Sequence, residues 1–396
     1  MQSIYPLKGK IQHYAWGGYT YIPSMLQLEN NEQQPFAEYW LGAHPNHPSI
    51  LRDGEKKDWP LNDFISTHPQ VLSETTNYNS LPFLLKVLDV RQMLSIQVHP
   101  AKVDAAVAFQ AEEEAGIPMD AAHRNYKDTN HKPEMMVALS SFWLLHGFKS
   151  DIGIQDVFKM TPELSTMTEQ VSPFTIKDLF HYIMTMPQEA VDRIVKQLSE
   201  RVMPLYDNDQ LPKETEDFWA ARAIKIYCQE EKYDRGILAI YLLNLVHLQE
   251  GEGIFQPSGM PHAYLEGQNV EIMANSDNVL RAGLTDKHID VEELLKHVVF
   301  EPTIPAILQP GPDSRYKSAA EEFALYKYDL NAGDNMMLRA TDAMVLLVLS
   351  GKVTILAGDE EVELECGKSV FIAAGTHFFL QTTATARVFK ATIGGV

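Results

Sequence analysis

The sequence is poor in cysteine and in positive charge, and each shortage excludes a class of protein. The 396 residues include only two cysteines, Cys228 and Cys366, too few for a disulfide framework or a thiolate metal site, so we expect a reducing, cytoplasmic compartment. Lysine and arginine number 33 against 53 aspartates and glutamates, a net charge of −20. A field of that sign repels nucleic acid and anionic lipid, so an anionic substrate must meet a local cationic pocket.

Long apolar runs are also missing. No stretch approaches the roughly 20 residues that cross a bilayer, and the longest, around Leu242–Leu248 and Ala343–Leu349, fit buried core elements. The segment Met1–Lys10 has no charged region followed by an apolar one, so we expect no secretion signal. We therefore predict a protein with no membrane and no nucleic-acid partner, and we expect a monomer.

The sequence pattern divides the chain into three successive regions. Up to about residue 150, short β-type runs such as Leu84–Val90 are punctuated by Gly, Pro and Asn, and one helix is predicted over Ala101–Ala115. Between about residues 151 and 248 the apolar period becomes helical, and we assign the apolar segment Ile237–Leu248 to the same helical module. The β-type pattern then returns. The apolar residues at helical spacing in the second region form a stripe, which consists of Val191, Ile194, Val195, Leu198 and Val202.

An internal repeat predicts two related β units. The stretch Gly251-(five residues)-Pro257-Ser258-Gly259 aligns with Gly367-(five residues)-Ala373-Ala374-Gly375, each position lying 116 residues after its counterpart (251 to 367, 259 to 375). In both copies an apolar strand leads into a glycine turn, and a histidine follows, His262 or His377. A small jelly-roll β-sandwich built twice explains this pattern better than a parallel sheet.

Four polar groups from three segments form a pattern typical of a metal site. Gln97 and His99 end a β-type run two residues apart, so their side chains project from the same face. Glu134 stands at the mouth of an apolar strand, where a charge has no packing role, and His262 follows a rigid Pro/Gly turn. An amide, a carboxylate and two imidazoles suit Zn²⁺, but Mn²⁺, Fe²⁺, Co²⁺ or Ni²⁺ fit the same donors.

These residues lie in motifs that resemble the type I mannose-6-phosphate isomerases, a family of the cupin superfamily. The motifs stand in the family's order and, with the weaker matches Tyr14–Gly17 and Trp40–Pro45, cover nearly the whole chain. The most specific are Leu81–Leu88, Leu94–Pro100, Asn130–Met135, Pro261–Tyr264 and Ser276–Thr285.

The resemblance implies a fold, an activity and a ligand set. The fold is mainly β with a helical insert, made of two cupin (jelly-roll) β-sandwich units plus an α-helical domain. We predict a discontinuous catalytic cupin over residues 1–150 and 249–310, a helical domain over 151–248, and a metal-free C-terminal cupin over 311–396, with His377 a local turn or core histidine. The activity is interconversion of mannose 6-phosphate and fructose 6-phosphate, two phosphorylated hexoses, through a cis-enediol(ate). One Zn²⁺ per chain is held by Gln97, His99, Glu134 and His262.

Further polar side chains are assigned to catalysis and to substrate binding. Glu271, set between apolar neighbours, is predicted as the general base, with a solvated outer-face charge as the alternative. Lys86 either faces the cavity or extends outward along its stem to water, and Arg281 either grips a phosphate or enediolate oxygen or forms a structural salt bridge. Lys132 is a further catalytic cation. Predicted substrate contacts are Lys86, Tyr264, Glu38 and His131, with a structural role as the alternative for Tyr264 and Glu38. His131 and Asp277 either assist ring opening or orient the metal ligands.

Two other functions compete with the isomerase. Cupins also carry Fe²⁺ or Mn²⁺ oxygenase chemistry, but a Gln ligand and the Lys/Arg set argue for a phosphorylated sugar. A non-catalytic sugar-binding cupin has no need for a metal, a base and several cations around one pocket.

Overall fold

The computed structural model describes residues 2–75, 78–165, 167–171, 174–228 and 232–394. Its first strands are β1 (Ile4–Lys8), β2 (Lys10–Gln12), β3 (Glu38–Gly42), β4 (Ile50–Arg52), β5 (Asp58–Pro60), β6 (Phe83–Val90), β7 (Gln97–Val98), β8 (Glu134–Ala138) and β9 (Phe142–Phe148). The remaining strands are β10 (Leu243–Leu248), β11 (Gly253–Gln256), β12 (His262–Ala274), β13 (Leu280–Arg281), β14 (Arg315–Tyr316), β15 (Ala324–Leu330), β16 (Asn335–Ala340), β17 (Met344–Ser350), β18 (Lys352–Ala357), β19 (Glu360–Glu365), β20 (Ser369–Ile372), β21 (Thr376–Gln381) and β22 (Ala386–Thr392).

Helices are concentrated between β9 and β10. They are α1 (Tyr21–Leu26), α2 (Leu61–Thr67), α3 (Lys102–Glu114), α4 (Asp151–Met160), α5 (Met167–Gln170), α6 (Ile176–Thr185), α7 (Gln188–Asp207), α8 (Glu216–Tyr227), α9 (Gly236–Ile240) and α10 (Val291–His297), with a 3₁₀ turn over Pro69–Val71. None of the helices in the described ranges is both long and apolar enough to cross a membrane.

The strand β12 organises the ten-stranded sheet that positions the site. The main path runs β10-β9-β12-β6-β3-β2, and β7 and β8 also pair with β12, bringing β13 and β11 with them. In the antiparallel register of β12 and β6, Glu271 lies opposite Lys86. Directly opposed residues point to the same face of a sheet, so this register sets a carboxylate beside an ammonium group.

A second, eight-stranded sheet joins the two ends of the chain. Its order is β14-β15-β22-β17-β20-β1-β4-β5, so the N-terminal strand β1 pairs with β20, with Ile4 opposite Ile372. A four-stranded sheet, β16-β21-β18-β19, completes the C-terminal part. One apolar core contains Tyr5 and Leu85 together with Phe371. The sheet pairing therefore crosses the predicted boundary at residue 311, and the domain division stays a prediction.

The expected fold class, mainly β with a helical insert, is confirmed. The predicted stripe lies on α7, where Val191, Val195, Leu198 and Val202 are fully buried, and the helix predicted over Ala101–Ala115 is α3. The assignment of Ile237–Leu248 to the helical module is wrong in its second half. That half is β10, which pairs with β9, with Val246 opposite Leu144.

The internal repeat is visible in the backbone. Gly251 and Gly259 have φ of 88° and 80°, and their counterparts Gly367 and Gly375 have 79° and 83°, in the left-handed region that favours glycine. The strands between them, β11 and β20, keep the same spacing of 116 residues (253 to 369). The position matching His262 in the second copy is Phe378, a fully buried core residue.

Candidate metal centre and adjoining cavity

His99 presents a free lone pair to the interior of the ten-stranded sheet. It follows β7 and is 1% exposed. Its Nδ1 lies 2.8 Å from the backbone carbonyl oxygen of Asn278, and because a carbonyl can only accept, the proton sits on Nδ1. The buried Nε2 has no hydrogen-bond partner and lies 3.5 Å from Oε1 of Glu134. Burial lowers the pKa of His99 to about 4, so the ring is neutral.

His262 presents its ring in the same way from another segment. It begins β12 after a turn at Gly259, where a Cβ would lie 2.6 Å from Val299, so the close approach requires glycine. Nδ1 of His262 lies 2.9 Å from the carbonyl oxygen of Met260, so Nε2 is the ring nitrogen that faces Glu134. That Nε2 lies 3.1 Å from Oε2 of Glu134.

Glu134 places an ionised carboxylate between the two rings. It is the first residue of β8 and is 3% exposed. Burial alone would raise its pKa, but the cation of Lys132, 3.1 Å from Oε1, and the neighbouring histidines hold the pKa of Glu134 well below its ordinary value. The carboxylate is therefore charged in this protein.

The three side chains fit a divalent cation. One ligand atom from each of His99, Glu134 and His262 lies within 4.8 Å of the other two. Both Nε2 atoms face the carboxylate of Glu134, at 3.5 and 3.1 Å, and two imidazole nitrogens with one carboxylate form a donor set that suits a divalent cation. Gln97 lies opposite His262 in the β7–β12 pairing, and its amide oxygen would complete a four-ligand nitrogen and oxygen set.

A cavity of about 70 Å³ adjoins these residues. Its wall brings together residues from five strands and one loop that the sequence analysis had selected separately. The eight predicted site residues that line it are Glu38, Lys86, Gln97, Lys132, Glu134, His262, Tyr264 and Glu271.

Glu271 is held between a neutral donor and a cation. The hydroxyl of Tyr264 donates a 2.7 Å hydrogen bond to Oε1 of Glu271, and Nζ of Lys86 lies 3.4 Å from Oε2. Burial and the charge of Glu134 raise the pKa of Glu271, whereas Lys86 lowers it. Burial and Glu271 also raise the pKa of Tyr264, which therefore stays protonated. A buried carboxylate with a raised pKa is suited to general acid–base work.

Lys86 faces the cavity, and the alternative that it extends outward to water is wrong. It is 6% exposed, and its Nζ lies 3.3 Å from Oε2 of Glu38 as well as near Glu271. Burial alone would lower its pKa, but the two carboxylates raise the pKa of Lys86 above its ordinary value, so the side chain is a cation. Sequence reasoning missed Trp40, whose indole nitrogen donates to the same oxygen of Glu38.

Arg281 lies on β13, next to the strand that carries Gln97. It is opposite Gln97 in the β13–β7 pairing. Across the described parts of the chain its side chain forms no ion pair or hydrogen bond, so the predicted structural salt bridge is absent there. Burial, and then the charge of Arg281, lower the pKa of Lys287. Lys287 is therefore a second cation near Arg281, and the carboxylate of Asp286 acts on both. The sequence analysis missed Lys287 because its polar surroundings resemble an ordinary loop.

The structure does not bring two of the histidines to the cavity. Nε2 of His131 lies 2.6 Å from Oε1 of Glu322, and this ring does not line the cavity. His377 is exposed on β21, opposite Arg339, so the alternative that it is a core histidine is wrong. Asp277, the other predicted flanking group, pairs with Nε2 of His44 at 3.1 Å.

Comparisons with known proteins agree with one another. The pattern of "Phosphomannose isomerase type I, catalytic domain" matches residues 4–151, and that of "Mannose-6-phosphate isomerase, cupin domain" matches residues 314–387. The mannose-6-phosphate isomerase of Escherichia coli is 37% identical over 380 residues, which cover 93% of this chain and 94% of that protein.

Solved structures cover the whole chain. A zinc-bound mannose 6-phosphate isomerase superposes with a TM-score of 0.88 at 31% identity, covering 100% of both chains. The enzyme from Salmonella typhimurium with fructose 6-phosphate and zinc has a TM-score of 0.87 at 31% identity and the same full coverage of both chains.

Proposed function

This chain belongs to the type I phosphomannose isomerase family, and on that premise we propose that His99, Glu134, His262 and Gln97 hold its catalytic metal ion. The observation that carries this assignment is the orientation of the two rings. Both Nδ1 atoms donate to backbone carbonyl oxygens, so both Nε2 atoms, the ring nitrogens left to bind a metal, face the carboxylate of Glu134.

The activity is the metal-dependent interconversion of mannose 6-phosphate and fructose 6-phosphate, and the metal is zinc. When bound, the ion supplies Lewis-acid polarisation of substrate oxygens, an effect worth several kcal/mol in such sites. An oxygenase or a non-catalytic sugar-binding cupin is not favoured, because relatives named mannose-6-phosphate isomerase align over nearly the full length of the chain.

Glu271 is the base in this proposal. In the open-chain aldose it takes the proton from C2, which leaves an enediol or enediolate, and returns that proton to C1 while the hydroxyl proton of O2 passes to O1 within the substrate, which forms the ketose. The transfer runs in the opposite direction for the reverse reaction. Tyr264 and Lys86 hold the two carboxylate oxygens in place, and the raised pKa brings Glu271 closer to the pH at which it must both accept and release a proton.

The cationic side chains are assigned to two anionic parts of the substrate, the oxygen charge that develops during the reaction and the phosphate. Lys132 lines the cavity beside Glu134 and is placed to stabilise oxygen charge that develops at C1 and C2. Arg281, with Lys287 nearby, has no side-chain partner in the part of the chain that the structure describes, and it is assigned to the phosphate, which its planar fork can bind in two places. Glu38 and Tyr264 remain proposed contacts to sugar hydroxyls, whereas His131 is left out of the contact set because it pairs with Glu322.

Metal analysis combined with a coupled assay tests the whole assignment. We expect one zinc per chain, loss of isomerase activity on chelation, and recovery when Zn²⁺ is restored. A chain that interconverts the two phosphosugars at full rate without any metal would contradict it.

We further propose that the chain acts as a monomer in the cytoplasm. The net charge of −20 opposes self-association, and both cysteines are unpaired thiols, as a reducing compartment maintains. Light scattering coupled to size exclusion and cell fractionation test the two statements separately.

A further inference from the structure

Asn278 touches the candidate metal centre without reaching the cavity. It lies between β12 and β13 and is fully buried. Its backbone carbonyl oxygen is the acceptor that fixes the proton of His99 on Nδ1, at 2.8 Å. The orientation of that imidazole therefore depends on where the backbone of Asn278 is held.

The side chain of Asn278 binds the segment that leads to Glu134. Its Oδ1 accepts from the backbone nitrogens of Lys127 and Asp128 at 2.7 and 3.2 Å. Its Nδ2 donates to the carbonyl oxygens of Asp128 and Asn130, both at 2.8 Å. All the hydrogen-bonding capacity of the amide is thus used on one loop, residues 127–130, which runs directly into Lys132 and Glu134.

A second residue of the same segment strengthens the junction. The hydroxyl of Ser276 donates to Oδ1 of Asp128 at 2.9 Å and accepts from the backbone nitrogen of Asn278 at 3.2 Å. Nearer the ligand, the backbone nitrogen of Ala274 donates to the carbonyl oxygen of Pro133 at 3.1 Å. The chain before Glu134 is therefore tied along its length to the chain that orients His99.

We infer that Asn278 is a positioning residue, which fixes His99 and Glu134 relative to each other for the metal ion. The inference rests on the proposed function, because it takes these two residues as ligands. Groups that orient ligands typically change metal affinity by about 10- to 100-fold when they are lost. Without the amide, the loop and the imidazole would each keep their own local structure. They would lose the hydrogen-bonded connection that sets the position of Glu134 relative to His99.

The experiment measures metal affinity in Asn278→Asp. This isosteric change keeps the acceptor for Lys127 but removes both donated hydrogen bonds and sets an acceptor against the carbonyl oxygens of Asp128 and Asn130. We expect the full chain to bind Zn²⁺ about 10- to 100-fold more weakly in competition with a chelator. We also expect the visible absorption bands of bound Co²⁺ to change. Wild-type affinity together with the wild-type Co²⁺ spectrum would overturn the inference.

Asn30→Asp is the matched control. Asn30 makes the same kind of clamp, donating to the carbonyl oxygens of Tyr19 and Gln34 at 3.0 and 2.8 Å and accepting from the nitrogen of Gln34 at 2.9 Å, in a loop outside the site. Its replacement should leave zinc affinity unchanged. An equal loss of affinity in both variants would assign the effect to general destabilisation and overturn the inference.

His99→Ala separates this inference from the proposed function. If His99→Ala binds zinc as tightly as the wild type, the ligand assignment itself fails. If His99→Ala loses zinc while Asn278→Asp retains it, only the role of Asn278 fails.

A milder variant covers the case in which Asn278→Asp does not fold. Ser276→Ala removes the hydrogen bond to Asp128 without adding charge, so a smaller fall in zinc affinity is expected. Unchanged zinc affinity in a folded Ser276→Ala would then overturn the inference.

Discussion

The hydroxyl of Tyr264 lies 2.7 Å from one carboxylate oxygen of Glu271, and the other oxygen lies 3.4 Å from the ammonium group of Lys86. One neighbour is a neutral donor and the other a cation, so the carboxylate is oriented by both but stabilised as an anion mainly by Lys86. Burial and Glu134 act in the opposite direction and raise the pKa of Glu271. Because these effects oppose one another, the pKa of the proposed base depends on each neighbour.

Replacing Glu271 by Gln should abolish proton transfer while leaving the fold and the metal in place. Positioned acid–base groups contribute about 10²- to 10⁴-fold, and we expect a fall in kcat of that order together with loss of C2 proton exchange with solvent. Activity and deuterium exchange are measured beside zinc content and the circular dichroism spectrum. Retained exchange at the wild-type rate would remove Glu271 as the base.

Removing the cation of Lys86 should move the pH profile. Because Lys86 lowers the pKa of Glu271, Lys86→Ala raises it further, and the acid limb of kcat/KM shifts to higher pH. Lys102→Ala is the control, since Lys102 is a largely exposed lysine whose partner is Glu322, and its acid limb should match the wild type. An unshifted acid limb in Lys86→Ala would contradict the proposed coupling.

His262→Ala should lose zinc and activity together, because one of the two imidazole nitrogens that face Glu134 is removed. Zinc content measured by mass spectrometry is expected to fall from one per chain to nearly none. His377→Ala, a histidine exposed in the C-terminal sheet, should keep its zinc. A fully metalated but inactive His262→Ala would sink the ligand assignment.

Arg281→Ala should weaken catalysis on phosphorylated sugar. Hydrogen bonds to charged groups contribute about 1.5–3 kcal/mol, so we expect a fall in kcat/KM of roughly 10- to 100-fold. Arg281→Lys keeps the charge but loses the planar fork, and should recover part of the loss. Wild-type kinetics in both variants would dismiss a substrate role for this residue.

Glu322 makes a pH-dependent contribution to folding. Burial alone would raise its pKa, but His131 and Lys102 lower the pKa of Glu322 from 4.5 to about 2. Because the folded-state pKa is the lower one, the stabilisation is complete above 4.5 and is lost as pH falls from there toward about 2. Glu322→Gln should unfold at a lower temperature at pH 7 and lose less stability on acidification than the wild type. Calorimetry at several pH values, with Glu361→Gln as an exposed control, measures the difference.

The general fold and most of the site could be predicted because they follow from local rules and from a resemblance spread over many motifs. The apolar neighbours of Glu271 predicted a buried carboxylate suited to a base, and the β12–β6 register sets it opposite Lys86. The sequence could not show that register, because it depends on how two distant strands align.

Short apolar runs and isolated charges were harder to predict. The run Ile237–Leu248 is compatible with either a helix or a strand, and only its pairing with β9 decides that the second half is extended. Lys287 carried no pattern of its own, and Asn278 lay within the motif Ser276–Thr285 with no indication of its partners. Lys287 matters because it lies near the cation of Arg281. Asn278 matters because it binds a loop at Asp128, 150 residues earlier in the chain.

The pairing of β1 with β20 also bears on biosynthesis. Since ribosomes deliver the chain from its N-terminus, the first strand has no β20 to join until almost the last segment has emerged. Until then the edge of β1 that β20 covers is unpaired, and an open strand edge is a liability for aggregation. Truncation near the C-terminus should therefore harm solubility of the nascent product well beyond the few residues removed.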